Sequence, residues 1–159
     1  MLRLVAQPED WRIGPSLCGG LSLIHYKSFQ VAPSLSLLKQ QYQQTMADYL
    51  KWGIHVMMSQ NATGELTIGD SHEYALVHDP FDKAFINKMI IDYLKQFTRL
   101  KDDAIVQTWN GIYPKLTDGQ TDFIYPPESG VTIVNGLGGA GMTLSFGLAE
   151  EVARKVNNE

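Results

Sequence analysis

Apolar and polar positions alternate with two different periods along the chain, and the places where the period changes mark out its elements. From Ser34, "SLSLLKQQYQQTMADYLKWG" sets Leu35, Leu38, Tyr42, Met46 and Tyr49 at helical spacing, and Gly53 supplies the stop. Phe85, Ile86, Met89, Ile90, Tyr93, Leu94 and Phe97 give a second helix a broad apolar face, with Asp82 placed as its cap. Phe85, Tyr93 and Phe97 read as core positions at that spacing.

Between these helices, "IHVMMSQNATGELTIGDS" reads as two strand-type runs joined around Asn61 to Gly64, since Asn and Gly tolerate positive φ. Ile54, Val56 and Met58 alternate there with His55 and Met57, so one set faces a core and the other a groove or solvent. The opening, through Gly19-Gly20, is broken by Pro8, Gly14 and Pro15 and reads as extended or turn structure, and Leu21 to Tyr26 reads as a β-rich run. Ala104 to Ile112, Asp122 to Tyr125 and Val131 to Val134 are further strand segments, and a closing helix starts near Met142. Hairpin-linked strands with only two long helices between them predict an α+β fold: an antiparallel or mixed sheet carrying the two helices, then a C-terminal strand-turn-helix.

Composition narrows the function. The 159 residues are 44% hydrophobic and 19% charged, ordinary for one globular domain. A net charge of -4 with no basic run argues against nucleic acid as a partner. No apolar stretch reaches the roughly 20 residues that span a bilayer, and "MLRLVAQPEDWRIGP" turns polar too early for a signal peptide, so the expectation is a cytoplasmic protein without a membrane partner. Cys18 has no partner for an internal disulfide and reads as a small buried apolar residue, and no Cys/His spacing resembles a zinc site. His78, beside Asp79-Pro80, reads as turn chemistry.

The chemistry concentrates in "VTIVNGLGGAGMTLSFGLAEEVARKV", where Gly136, Gly138 and Gly141 fit G-x-G-x-x-G. A dinucleotide fold needs a second strand and an acidic residue about 20 positions later, and only eighteen residues follow Gly141, all needed for the helix and a polar end. A strand feeding a glycine-lined helix start still presents amide N–H groups and the positive end of a dipole. That suits a partner with developing negative charge, such as a reduced flavin at N1 and the C2 oxygen. The alternative reading is a turn that only lets a helix pack closely.

"WNGIYPKLTDGQTDFI" followed by "PESGVTIVNGLGGAGMTLSFGLAEEV" resembles the C-terminal portion of FAD-dependent oxidoreductases of the D-amino-acid oxidase type, the group that includes glycine oxidase and sarcosine oxidase. "GELTIGDSHEY" and "GLGGAGMTLSFGLAE" are most similar to a phosphonate-associated subset. The resemblance implies one C-terminal part over residues 1–159, with a substrate-binding region at about 18–112 and a flavin-capping strand-turn-helix at about 113–156. It implies that an FAD-binding N-terminal half lies outside this chain, and that FAD is not retained without it. The partners it implies are a small amine substrate, and that flavoprotein half or a homo-oligomer.

By the same resemblance, Leu137, Gly138, Gly139, Ala140, Gly141, Met142 and Thr143 face the flavin. Thr143 stands where some members carry a substrate-binding lysine, and Tyr113 where others carry a carboxylate-clamping arginine; a second arginine found near Gly139 in glycine oxidase is also missing. Tyr113, Lys115, His55 and His72 are the candidate substrate donors, and His25, Tyr26 and Lys27 form a further polar trio. The implied reaction is oxidation of the C–N bond of a small amine, amino acid or aminophosphonate, with hydride passing to the flavin. The rival expectation is a non-catalytic product of a truncated or split gene that needs a partner chain to complete a site.

Overall fold

A computed structural model describes residues 1–157 and divides the chain into two compact units, Met1–Asn110 and Gly111–Glu159. The first unit holds β1 (Leu2–Leu4), β2 (Leu17–Cys18), α1 (Leu21–His25), a 3-10 turn (Lys27–Val31), α2 (Leu35–Thr45), α3 (Ala47–Lys51), β3 (Met57–Gln60), β4 (Leu66–Gly69), α4 (Ala84–Leu94) and β5 (Ile105–Thr108). Its strands form one antiparallel sheet in the order β2-β3-β4-β1-β5. The α+β class read from the hydrophobic pattern is the one observed.

The core follows from period two meeting period 3.6. Leu2 and Leu4 of β1, Leu66 and Ile68 of β4, and Val56 and Met58 at β3 are at most 1% exposed, and they cluster with Ile86, Ile90, Ile91, Tyr93 and Leu94 of α4. Alternation puts each strand set on one face, and helical spacing puts the α4 set opposite it. Each such side chain contributes about 1.5–3 kcal/mol on burial.

One buried amide ties the sheet to its surroundings. Gln7 is 4% exposed; its Nε2 donates to the Asp102 carbonyl at 2.7 Å, and its Oε1 accepts from the N–H groups of Lys101 and Asp102 at 2.9 and 3.2 Å. The chain leaving β1 is thereby fixed against the segment entering β5. The β3–β4 hairpin closes on Asn61 to Glu65, where Asn61 Oδ1 accepts from the Glu65 N–H at 2.9 Å and Gly64 takes φ +89°.

Several expectations need correction. Leu21 to Tyr26 is helix α1 and not a strand: Gly19 and Gly20 bring Tyr93 and Tyr42 so close that an added Cβ would meet them at 2.5 and 2.4 Å, and the Leu21 N–H donates to the Tyr93 hydroxyl at 3.0 Å. Packing against those tyrosines overrides a weak local β preference. The single helix expected from Ser34 is two, because Met46 takes φ -138°, ψ 35° between α2 and α3. Asp82 does not cap α4; its carboxylate accepts from the Asn110 amide at 2.9 Å and from the Thr108 hydroxyl.

Of the three aromatics read as core, Tyr93 is buried, whereas Phe85 and Phe97 are 48% and 41% exposed. Phe85 lies in the first turn of α4, and Phe97 falls beyond its last residue, Leu94. Cys18 is exposed on the short edge strand β2.

The second unit is a β-hairpin followed by a helix. β6 (Phe123–Glu128) pairs antiparallel with β7 (Val131–Asn135), a 3-10 turn spans Gly138–Ala140, and α5 runs from Gly141 to Val156. The pairing slips between Tyr125 and Glu128, where Pro126 and Pro127 offer no N–H to the ladder. None of the hydrophobic residues found buried lies in this unit. Among the described residues no helix is long and apolar enough to cross a membrane.

Replacing Ile90 by Ala, which empties a position 1% exposed at the centre of α4, should destabilise the first unit by about 2–5 kcal/mol. Urea denaturation followed by circular dichroism measures it, and a loss under 1 kcal/mol would mean that α4 does not seal this sheet.

Candidate functional site

In the second unit the chain leaves β7 at Asn135 and turns through two left-handed glycines, Gly136 at φ +88° and Gly138 at φ +56°. Gly136 is doubly constrained, because an added Cβ would also lie 3.0 Å from Leu116 Cδ1 and 3.2 Å from the Phe123 N–H nitrogen. Helix α5 then starts at Gly141 with Ala140 as N-cap and no side chain capping it. The first amides of a helix have no intrahelical acceptor, so its positive end is left to other partners.

Tyr113 lies against this turn. A Cβ at Gly139 would meet its phenol oxygen at 3.1 Å, and Lys115 pairs with Leu137 through an isolated antiparallel bridge. A cleft of about 700 Å³ is lined by Tyr113, Asn135, Gly136 and Gly138 on one side and by Ser145 and Leu148 of α5 on another. Leu137 to Thr143, Tyr113 and Lys115 are therefore neighbours in one small unit. At Gly141 nothing stands within 4 Å of where a Cβ would be, so the backbone there is open to close approach.

His55 and His72 belong to the first unit and meet there. Their Nε2 atoms are 3.1 Å apart, and Asp70 places Oδ1 3.1 Å from His55 Nε2 and Oδ2 3.5 Å from His72 Nε2. His25, at the end of α1, stacks on His55 with ring centroids 3.9 Å apart. The Ser22 hydroxyl lies 3.4 Å from His55 Nδ1.

Burial pushes the His55 imidazole below its ordinary pKa, with His72 adding to the effect and Asp70 opposing it. For Asp70, burial pulls the pKa up, but the hydrogen bond with His72 and the fields of His55 and His72 outweigh it and hold the carboxyl below its usual value. The cluster is thus a neutral buried imidazole beside a charged carboxylate.

The alternation around residues 54–58 divides as its period requires. Ile54, Val56 and Met58 are buried, and Met57 is 40% exposed; His55 is 2% exposed because α1 covers it. Asp70 was missed as a partner. The backbones of His55 and Asp70 exchange two hydrogen bonds, at 3.2 and 2.8 Å, one step out of the register that pairs Met57 with Gly69. The strength of the hairpin signal pointed to residues 70–71 as those opposite His55, and that was the available clue. His78 lies outside the cluster, and in its bend it is Asp79 that accepts the Phe81 N–H at 3.1 Å.

The hairpin, glycine turn and uncapped helix start define the class: an antiparallel β-β-α element that offers backbone amides, not a βαβ nucleotide fold. Residues 20–155 match the family model described as FAD dependent oxidoreductase, and the chain belongs to that family. No curated protein and no solved structure matches it.

Changing Gly136 to Ala should cost about 1–3 kcal/mol of local stability, since both its φ and its contact with Leu116 exclude a methyl. Amide hydrogen exchange should quicken across β6, β7 and the start of α5 while β1, β3 and β4 keep their protection. Unchanged exchange in the hairpin would show that the turn tolerates another conformation.

Proposed function

We propose that this chain supplies the flavin-capping and substrate-facing part of an FAD-dependent oxidoreductase that oxidises the C–N bond of a small amine, amino acid or aminophosphonate. The observation that carries the proposal is the seating of Tyr113 on the glycine turn at an uncapped helix start, inside the stretch that matches the family. The residues fit the ring end of a flavin. Gly141, with nothing within 4 Å of its Cβ position, lets a planar group approach the backbone, and the first amides of α5 offer donors to an electron-rich edge.

FAD, when bound, would supply the hydride acceptor. The protein's share is positional and electrostatic. Leu137 to Thr143 hold the ring edge, the Tyr113 hydroxyl donates to an anionic group of the substrate, and the Lys115 ammonium offsets that group's charge. With no arginine at Tyr113 or at Gly139, the substrate anion is held by point donors and not gripped by a planar fork.

A partner half carrying the FAD adenosine and pyrophosphate is part of this proposal. The hydrophobic side chains of the second unit support it: Phe123, Ile133, Met142, Leu144 and Phe146 are each more than two-fifths exposed.

Purified chain mixed with FAD and the nucleotide-binding half of a family member should acquire a flavin absorption spectrum, and an amine or aminophosphonate substrate should bleach it. Gly139→Val, which drives a branched side chain into Tyr113, should weaken flavin capture at least about tenfold. Tyr113→Phe should leave capture intact and slow bleaching by about 10- to 100-fold, the loss of one hydrogen bond to a charged group. Capture that is indifferent to Gly139→Val would remove the turn from the flavin site.

A further inference from the structure

We propose that His25, His55, His72 and Asp70 form a binding site for one divalent transition-metal ion of the zinc class, which clips α1 to the β3–β4 hairpin. The site is independent of the flavin reading and lies wholly within the first unit.

Geometry supports it first. The three histidines bring ligand nitrogens within 4.8 Å of one another. A tetrahedral ion with bonds of about 2.0–2.1 Å to imidazole sets its ligand atoms about 3.3 Å apart along each edge. The observed 3.1 Å between the Nε2 atoms of His55 and His72 and 3.1 Å from His55 Nε2 to Asp70 Oδ1 lie close to that edge, and the other carboxylate oxygen, Oδ2, stands 3.5 Å from His72 Nε2. The half-buried His25 supplies the third nitrogen, within 4.8 Å of those of His55 and His72, and Asp70 the oxygen.

Chemistry supports it second. Asp70 Oδ1 is buried and accepts no hydrogen bond, although it lies 3.1 Å from a ring nitrogen. A buried carboxylate oxygen without a proton donor calls for a cation. The Ser22 hydroxyl, 3.4 Å from His55 Nδ1, is placed to accept that N–H and leave the Nε2 lone pair for the ion, the outer contact that metal-binding histidines usually make. Imidazoles with a carboxylate suit zinc, cobalt or nickel in preference to calcium or magnesium.

Three separate segments contribute: the end of α1, the residue entering the hairpin, and the residues leaving it. One ion therefore closes a loop from residue 25 to residue 72. Four protein ligands leave no open position, which makes the site structural.

The test is titration of the chelator-treated full chain with Zn2+ and Co2+. We expect one ion per chain, a Kd tighter than about 1 µM, the visible ligand-field absorption of four-coordinate Co2+, and a higher melting temperature with Zn2+. His55 is buried, so its replacement would test folding as much as binding. His25→Gln and Asp70→Asn carry the test, each weakening binding about 10- to 100-fold or more and abolishing the thermal shift. His78→Gln, outside the cluster, should change neither. Failure to take up Zn2+ or Co2+, or uptake that survives both His25→Gln and Asp70→Asn in folded protein, would overturn the site. Zinc lost equally in His78→Gln would assign the binding to the surface.

Discussion

The first unit depends on one apolar layer, the face that β1, β3 and β4 turn toward α4. β1 has only three residues, yet it lies between β4 and β5 and buries Leu2 and Leu4 completely. A strand that short has few ladder bonds of its own, so its place rests on those two leucines and on the Gln7 amide just beyond it. The same layer fixes the register of β3 on β4, because a slip of one residue would expose Met58 and Ile68 together. The histidine cluster sits just beyond those locked pairs, where His55 and Asp70 face each other through a one-residue departure from the register.

What was legible in the sequence follows from how locally each feature is determined. α4 and the hairpin were readable because their periods are strong and their turns carry Asn and Gly, whose backbone preferences act within a few residues. α1 was not readable, because its helical form depends on Tyr42 and Tyr93, distant in sequence, lying over Gly19 and Gly20. The break at Met46 carries no proline or glycine to announce it and turns Tyr49 toward Tyr93, a tertiary contact that spacing alone cannot show. Asp82 satisfied every local rule for a cap and was taken instead by Thr108 and Asn110.

The candidate sites divide along the same line. Leu137 to Thr143 are singled out by resemblance, and the structure sets Tyr113 against Gly139 and pairs Lys115 with Leu137. His55 and His72 could be singled out as polar residues at the hairpin's open end. Their pairing with Asp70 could not be, since it turns on a one-residue departure from the hairpin register. Nor could the stacking of His25, which requires the helix that sequence reading took for a strand.

The glycine fingerprint shows why spacing has to be read together with topology. In a βαβ unit the three glycines bring a pyrophosphate to a helix start, with a parallel strand beside the first to complete the crevice. Here the strand entering the turn pairs antiparallel with β6. The turn keeps the two physical assets of the motif: backbone without side chains at Gly138, Gly139 and Gly141, and a helix start with no side-chain cap. Tyr113 lies against Gly139, so the turn borders a cleft with an aromatic ring in its wall. That difference in surroundings, with the same glycine spacing, is what separates this turn from a dinucleotide-binding one.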